Sequence, residues 1–355
     1  MRLGTLATAL FLTASAHADI DPVSGIDFVT VGAPGNAPWQ GNGTPGDRAI
    51  GRGGVGYEYK IGKFEVTSAQ WVDFFNAAYD RPAGDTIPHL IPPDCWGGIS
   101  TTPTHIENPN ARRWTTTPQS AMLPTGDISW RMAAIYCNWL HNGKATNREA
   151  FLNGAYDVST FGYQGTVFTD QLTHHPDAHY WIPTWDEWLK AAHYDPVKQN
   201  SDGSLGGWWL YPHRSDVAPV YGPPNVFVNG VLSQANAGWD QLDYPGFNPF
   251  SVQLGAYAQV TSPWGLLDVA GATREWTEET VFVNGVFPAD RYFDGTAWDF
   301  STGTVDRINS VGGDFPSLAV YDLGFRIATS VPAPGISALA VSLFALAAHR
   351  RRSSG

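Results

Sequence analysis

Cysteine is almost missing from this chain: among 355 residues, Cys95 and Cys137 carry the only thiols. Two cysteines exclude a disulfide scaffold and any many-cysteine metal cluster, and leave open one disulfide in an oxidising compartment or two free thiols. Cys137 falls on the apolar face of a predicted helix, where a buried free thiol is equally at home. Charge is scarce too. With 15% charged and 43% hydrophobic residues, the composition is that of a globular protein and not of a disordered one. Basic residues are outnumbered 21 to 33, for a formal net charge of -12. A phosphate backbone is bound through clustered Lys and Arg, so nucleic acid is not expected as a partner and divalent cations are favoured. No apolar stretch is long, since the 13 residues 336–348 fall short of the ~20 that span a bilayer. The nucleophile patterns Ser-x-x-Lys and Gly-x-Ser-x-Gly are missing, and no internal repeat is present.

What the chain has in quantity is 15 Trp, 38 Gly and 26 Pro. That is the mark of a loop-rich body whose interior is filled by aromatic rings more than by long regular elements. Thr67, with Gln70 three residues on, forms a capping box for a helix that buries Trp71, Phe74, Phe75 and Ala78. A second helix follows Ser129, places Ala133, Tyr136, Cys137 and Leu140 on one face, and stops at Gly143. A third starts at Thr184, with Glu187 completing the box, and ends before Pro196. Strands are predicted over 57–66, around Tyr221, and over 226–228, 255–260 and 324–329. Gly51, Gly53 and Gly56 spell G-x-G-x-x-G but precede a strand instead of following one, so they read as a loop. Residues 19–56 read as a loop-rich N-terminal extension and 57–330 as one domain. Ahead of them, residues 1–18 carry Arg2, an apolar run from Leu6 to Leu12, and the small residues Ala16 and Ala18. That pattern predicts an export signal cleaved before Asp19.

Five motifs stand in a fixed order: Phe64-Glu65-Val66-Thr67, Ile182-Pro183-Thr184 with Glu187-Trp188, Gly265-Leu266 with Gly271 and Glu275-Trp276, Gly312-Gly313, and Gly324-Phe325-Arg326. Together they resemble the formylglycine-generating enzymes, also called sulfatase-modifying factors, and Tyr136-Cys137-x-Trp139 resembles that family's second helix. The resemblance implies an α+β fold, a single C-type-lectin-like domain rich in loops, with short strands and a few helices. It also implies copper-dependent oxidation of a protein cysteine, carried out by a cysteine pair between the Gly-Gly and Gly-Phe-Arg motifs. Residues 309–329 contain no cysteine here, so neither copper nor that activity is expected. Calcium is expected as a structural ion. By position in the family its ligands would be the carbonyls of Ala270, Gly271 and Thr273 and the side chain of Glu275, hard oxygens of the kind calcium takes. Ala272 stands where the family has asparagine. The alternative for Glu275 is a buried carboxylate hydrogen-bonded to backbone amides. A second family calcium site begins at a position matched by Asn236, with Asp240 or Asp243 as a later ligand. The C-terminal residues 331–355, Val331-Pro332-Ala333-Pro334 followed by an apolar stretch and three arginines, resemble a PEP-CTERM sorting tail with Ala333 in place of the glutamate. That implies sorting and processing machinery as a partner and a cell-surface or extracellular destination after transient membrane anchoring. A simple membrane anchor is the alternative.

The run His174-His175-Pro176-Asp177-Ala178-His179 puts imidazoles at 175 and 179, a spacing that shares a metal on a helix. Pro176 argues for a loop instead. Iron-binding relatives use His-x-x-x-His-x-Glu, and the position of that Glu is Trp181. Two functions remain: a ligand-binding or structural module for carbohydrate or peptide, or an oxidoreductase with relocated chemistry. A shallow aromatic-lined face is expected of the first and a deep Cys or His pocket of the second.

Overall fold

The computed structural model describes residues 19–79, 81–100, 113–239, 242–283, 287–299 and 304–331. The expected export signal and the sorting tail beyond Val331 lie outside them. All three expected helices form where their caps stand. Thr67 and Gln70 close the capping box of Ser68–Ala78, and Ser129 caps Trp130–His141 by accepting from Met132 N. Thr184 and Glu187 form the box of Trp185–His193. Each cap satisfies donors that the first helical turn leaves unpaired, worth ~1 kcal/mol apiece. Trp71, Phe74 and Phe75 of the first helix pack on Tyr136 and Trp139 of the second in one aromatic core, with the Trp71 and Tyr136 rings stacked at 5.7 Å. The third helix buries Trp185, Trp188 and Leu189 in a second cluster with Val29, Val31, Tyr59 and Ile61.

A five-stranded sheet is ordered Asp19–Ile20, Asp27–Val31, Tyr59–Gly62, Ala328–Ser330, Tyr180–Trp181. The segment 19–56, expected as loop, therefore supplies two strands. Phe28, Val29 and Val31 are apolar enough to be buried there, a short signal hidden among Gly and Pro. A four-stranded sheet is ordered Gly312–Asp314, Phe287–Asp294, Arg274–Val283, Leu323–Phe325, and its last pair is parallel. Residues 270–275, which hold the expected calcium ligands, are part turn and part strand. Gly271 and Ala272 do turn, with φ of +91° and +62°, but from Arg274 the chain is a strand, with Glu275 opposite both Asp294 and Gly324. Residues 255–260 are turns, not a strand. Gly255 has φ of +82° and its N–H donates to Asp268 Oδ2 at 2.6 Å, so the chain bends toward a carboxylate instead of extending. The expected strand 324–329 is two strands in different sheets, interrupted at Arg326 and Ile327.

Few helices, many short strands and one continuous body make this the mixed α+β domain that the sequence predicts.

Candidate functional site

Four of the five motifs, all but Gly312-Gly313, converge on one buried ion pair. Arg326 Nε donates to both oxygens of Glu275 at 2.8 Å. The rest of the guanidinium serves the carbonyls of Gly62, Lys63 and Leu267. Trp188 Nε1 donates to Glu275 Oε2 at 2.8 Å. Glu65, from the first motif, accepts from Thr273 N and Oγ1 at 3.2 and 2.7 Å, and Val66 N donates to Phe325 O at 2.9 Å. Glu65, Glu275 and Arg326 are all buried. Burial and then the Glu275 charge hold the Glu65 carboxyl well above the usual range. Burial also raises Glu275, against the opposing pull of Arg326. The motifs thus form a charged girder through the core, and their residues are occupied in holding loops together.

The residues expected to bind calcium meet beside that girder. Asn236 bridges Gly271, with Ala272 N donating to Asn236 O at 3.0 Å, so Asn236 and the 270–275 segment are brought together. A Cβ on Gly271 would stand 2.5 Å from Asn236 O, which makes glycine obligatory for the approach. Donors from the protein already satisfy Glu275, and Thr273 gives both its N–H and its hydroxyl to Glu65. Asn236 donates Nδ2 to Pro249 O at 3.0 Å while its Oδ1 is buried without a partner. The carboxylate with spare capacity is Asp268, which the sequence reading passed over. Its Oδ2 accepts from Gly255, and burial pushes its pKa up to about 6, opposed by that bond and by Arg326. Asp268 and Ala270 line the same small cavity, with room for roughly one water-sized particle. The signal for Asp268 was present, as a lone carboxylate inside the apolar run Leu266-Leu267-Asp268-Val269-Ala270. Asp268 and Ala270 share that cavity, Asn236 does not line it, and the Glu275 carboxylate is taken up by Arg326 and Trp188.

The histidine run is a loop. His174 stacks on Trp181 at 4.7 Å, and its Nδ1 lies 3.0 Å from Glu278 Oε1. Burial alone would lower the His174 pKa, but the Glu278 carboxylate overrides it and raises the pKa. His175 lies 3.8 Å from Asp177, and the His179 ring sits 4.7 Å from His141. Among the described residues no group of three or more His, Cys, Asp or Glu is placed to hold a metal.

The two thiols are free and lie in unlike places. Cys137 is fully buried in the aromatic core. Cys95 is half-buried at a pocket of about 310 Å³ walled by Trp96, Leu123, Pro124, Phe250 and Trp298, with Asp94 at its edge. Local packing explains the pocket. Gly97 N donates to Ser68 Oγ at 2.7 Å, pinning the loop to the first helix, and Trp96 packs on Trp114 at 5.4 Å. Phe250 meets Trp298 edge-on at 5.0 Å. Gly126 N donates to Cys95 O at 2.8 Å and Asp127 N to Val320 O at 3.0 Å. A Cβ on Gly126 would stand 2.0 Å from Tyr321 O and 3.2 Å from Cys95 O. Through this bare backbone, Cys95 neighbours the segment between the Gly-Gly and Gly-Phe-Arg motifs. Burial, followed by the charges of Asp127, Asp94, Asp299 and Asp322, pushes the Cys95 thiol up to about 11. A thiol so raised is protonated at neutral pH, and the thiolate is the species that binds metal or attacks. With one neutral thiol here and the other sealed in the core, the cysteines present do not fit a two-thiolate copper site.

Residues 55–331 match the family model described as sulfatase-modifying factor enzyme 1-like domain. Among solved structures, the crystal structure of CarF is 21% identical over 87% of this chain and 99% of its own, with a TM-score of 0.51. Treponema denticola variable protein 1 is 16% identical over 88% of this chain and 98% of its own, TM-score 0.45. PvdO from Pseudomonas aeruginosa is 13% identical over 90% and 100%, TM-score 0.45. No curated protein matches the sequence. At such identity the CarF likeness is one of fold, whereas the family match spans most of the chain and includes every one of the five motifs. This chain belongs to the sulfatase-modifying factor enzyme 1-like family.

Proposed function

We propose that this protein is an exported, surface-associated member of the family that binds a carbohydrate or peptide ligand and does not generate formylglycine. The observation that carries this reading is the state of the thiols beside the motif segment: Cys95 alone faces the pocket, protonated at neutral pH, while Cys137 is locked in the core. Cysteine oxidation in the family requires two thiols presented together, and soft copper(I) selects thiolates. What replaces them is a concave face of Trp96, Phe250 and Trp298, side chains suited to stacking on sugar rings or peptide side chains. The export signal and sorting tail read in the sequence support a destination at the cell surface. Calcium belongs to this reading as a structural ion beside Asp268.

The test is aldehyde formation on a cysteine-containing peptide incubated with the protein, copper and oxygen, followed by mass spectrometry. No aldehyde is expected, and Cys95→Ser is expected to behave as the wild type does. Aldehyde that disappears in Cys95→Ser would overturn the reading and make the protein an oxidoreductase.

A further inference from the structure

A cleft of about 500 Å³ shares no lining residue with the pocket at Cys95. Its walls carry Tyr57, His174, Asp177, His179, Trp181 and Ser330. Three of these side chains are held in place by carboxylates behind the walls. Tyr57 gives its hydroxyl to Glu187 Oε1 at 2.9 Å, and Trp181 gives Nε1 to Glu187 Oε2 at 3.1 Å. His174 stacks on Trp181 and sets Nδ1 3.0 and 3.1 Å from the two oxygens of Glu278. Glu278 Oε1 also takes the Tyr156 hydroxyl at 2.8 Å. Glu187 and Glu278 are buried and do not line the cleft themselves. Burying carboxylates is costly, and apolar packing would hold a wall without that cost. Glu187 also closes a helix cap, whereas Glu278 serves no cap. What the two carboxylates add is orientation, since each fixes rings that face the cleft, as the support of a preorganised site does.

The polar groups left to a ligand suit hydroxyls. With Nδ1 bonded to Glu278, His174 has Nε2 for the cleft, bare in the neutral ring and protonated in the imidazolium. Burial lowers the His174 pKa and Glu278 raises it, with a net rise from 6.5, so both forms occur around neutral pH. A hydroxyl pairs with either form, while a carboxylate pairs only with the second and an ammonium only with neither proton in its way. Tyr57 has donated its proton to Glu187 and keeps lone pairs for a hydroxyl donor, and its ring is 50% exposed. Asp177, with its side chain 90% exposed, adds a carboxylate acceptor that disfavours an anion. A ring bearing several hydroxyls and one apolar face answers all of these groups, which is the chemistry of a pyranose.

We propose that this cleft is a binding site for a neutral sugar. The sugar ring lies against the face of Tyr57, and its hydroxyls are shared among His174 Nε2, Asp177 and His179. This goes beyond the reading above, because it stands even if the pocket at Cys95 binds nothing.

Saturation-transfer NMR of the full chain with methyl glucoside, methyl galactoside and methyl mannoside tests this. At least one glycoside is expected to bind with a Kd of about 1–10 mM. Asp177→Ala changes an exposed side chain, and Tyr57→Ala removes the aromatic platform. Each is expected to weaken binding by about three- to tenfold, and Asp177→Ala decides alone if Tyr57→Ala does not fold. Phe250→Ala, in the pocket at Cys95, is expected to leave sugar binding unchanged. Sugar binding untouched by the cleft variants would overturn the assignment of the site, and its loss in Phe250→Ala would move the sugar to the other pocket. Displacement of the sugar by acetate or methylammonium at equal concentration would overturn the neutral-ligand claim. Absence of binding by all three glycosides up to about 50 mM would overturn the inference and leave the reading of the Cys95 pocket as it is.

Discussion

Replacing Arg326 by methionine removes the one guanidinium that the motif girder shares. Glu275 then loses two 2.8 Å charge-assisted bonds, and the carbonyls of Gly62, Lys63 and Leu267 lose their donors. Glu65 and Glu275 stay buried, with Asp268 near them. Breaking a buried pair from one side costs about 3–5 kcal/mol, because a charge is left without its partner. At 2–4 °C per kcal/mol for a domain of this class, Arg326→Met should lower the melting temperature by roughly 6–20 °C. The loss should depend on pH in a definite direction. Arg326 opposes the upward shifts of Glu65, Glu275 and Asp268, so removing it raises all three further. A carboxyl whose pKa is raised on folding holds a proton that the unfolded chain has released. Its cost is absent below the unfolded value of ~4 and grows as pH climbs through the folded value. The deficit of Arg326→Met relative to wild type should therefore be smaller at pH 5 than at pH 8. Differential scanning fluorimetry at the two pH values measures it. A deficit below about 1 kcal/mol, or one that is equal at both pH values, would refute the girder as described.

Two further outcomes are expected. In Gly324→Ala the new methyl would stand 2.3 Å from Thr273 Oγ1 and 2.8 Å from Thr125 O. The second contact is backbone and cannot rotate away, so the urea midpoint should fall by the equivalent of about 1–3 kcal/mol, and an unchanged midpoint would contradict the packing. If calcium sits at Asp268, millimolar calcium should stabilise chelator-treated protein by about 2.7 kcal/mol at a hundredfold excess over Kd, read as a rise in melting temperature. Asp268→Asn should abolish that response, and a full response in the variant would exclude Asp268 as a ligand.

The sequence by itself determined the local starts and the family. Thr67, Ser129 and Thr184 announce helix starts because capping is a short-range hydrogen bond between residues three apart, and the structure places all three helices where those caps predict. Motif order carries the α+β class through the resemblance to one family that the five motifs establish together. Other features depend on partners far along the chain. Glu275 reads as a calcium ligand or as a carboxylate held by backbone amides until Arg326 and Trp188 are brought to it from 51 and 87 residues away. Asp268 is one carboxylate in an apolar run until Gly255 and Ala270 enclose it. Residues 324–329 look like one strand because each half alternates well, and only the two sheets that claim the halves divide them at Arg326. Cys95 and Cys137 are chemically alike in sequence. Tertiary burial alone separates a thiol at an acidic, aromatic pocket from one sealed among tryptophans, because solvation and neighbouring charge are properties of the folded surface and not of the residue.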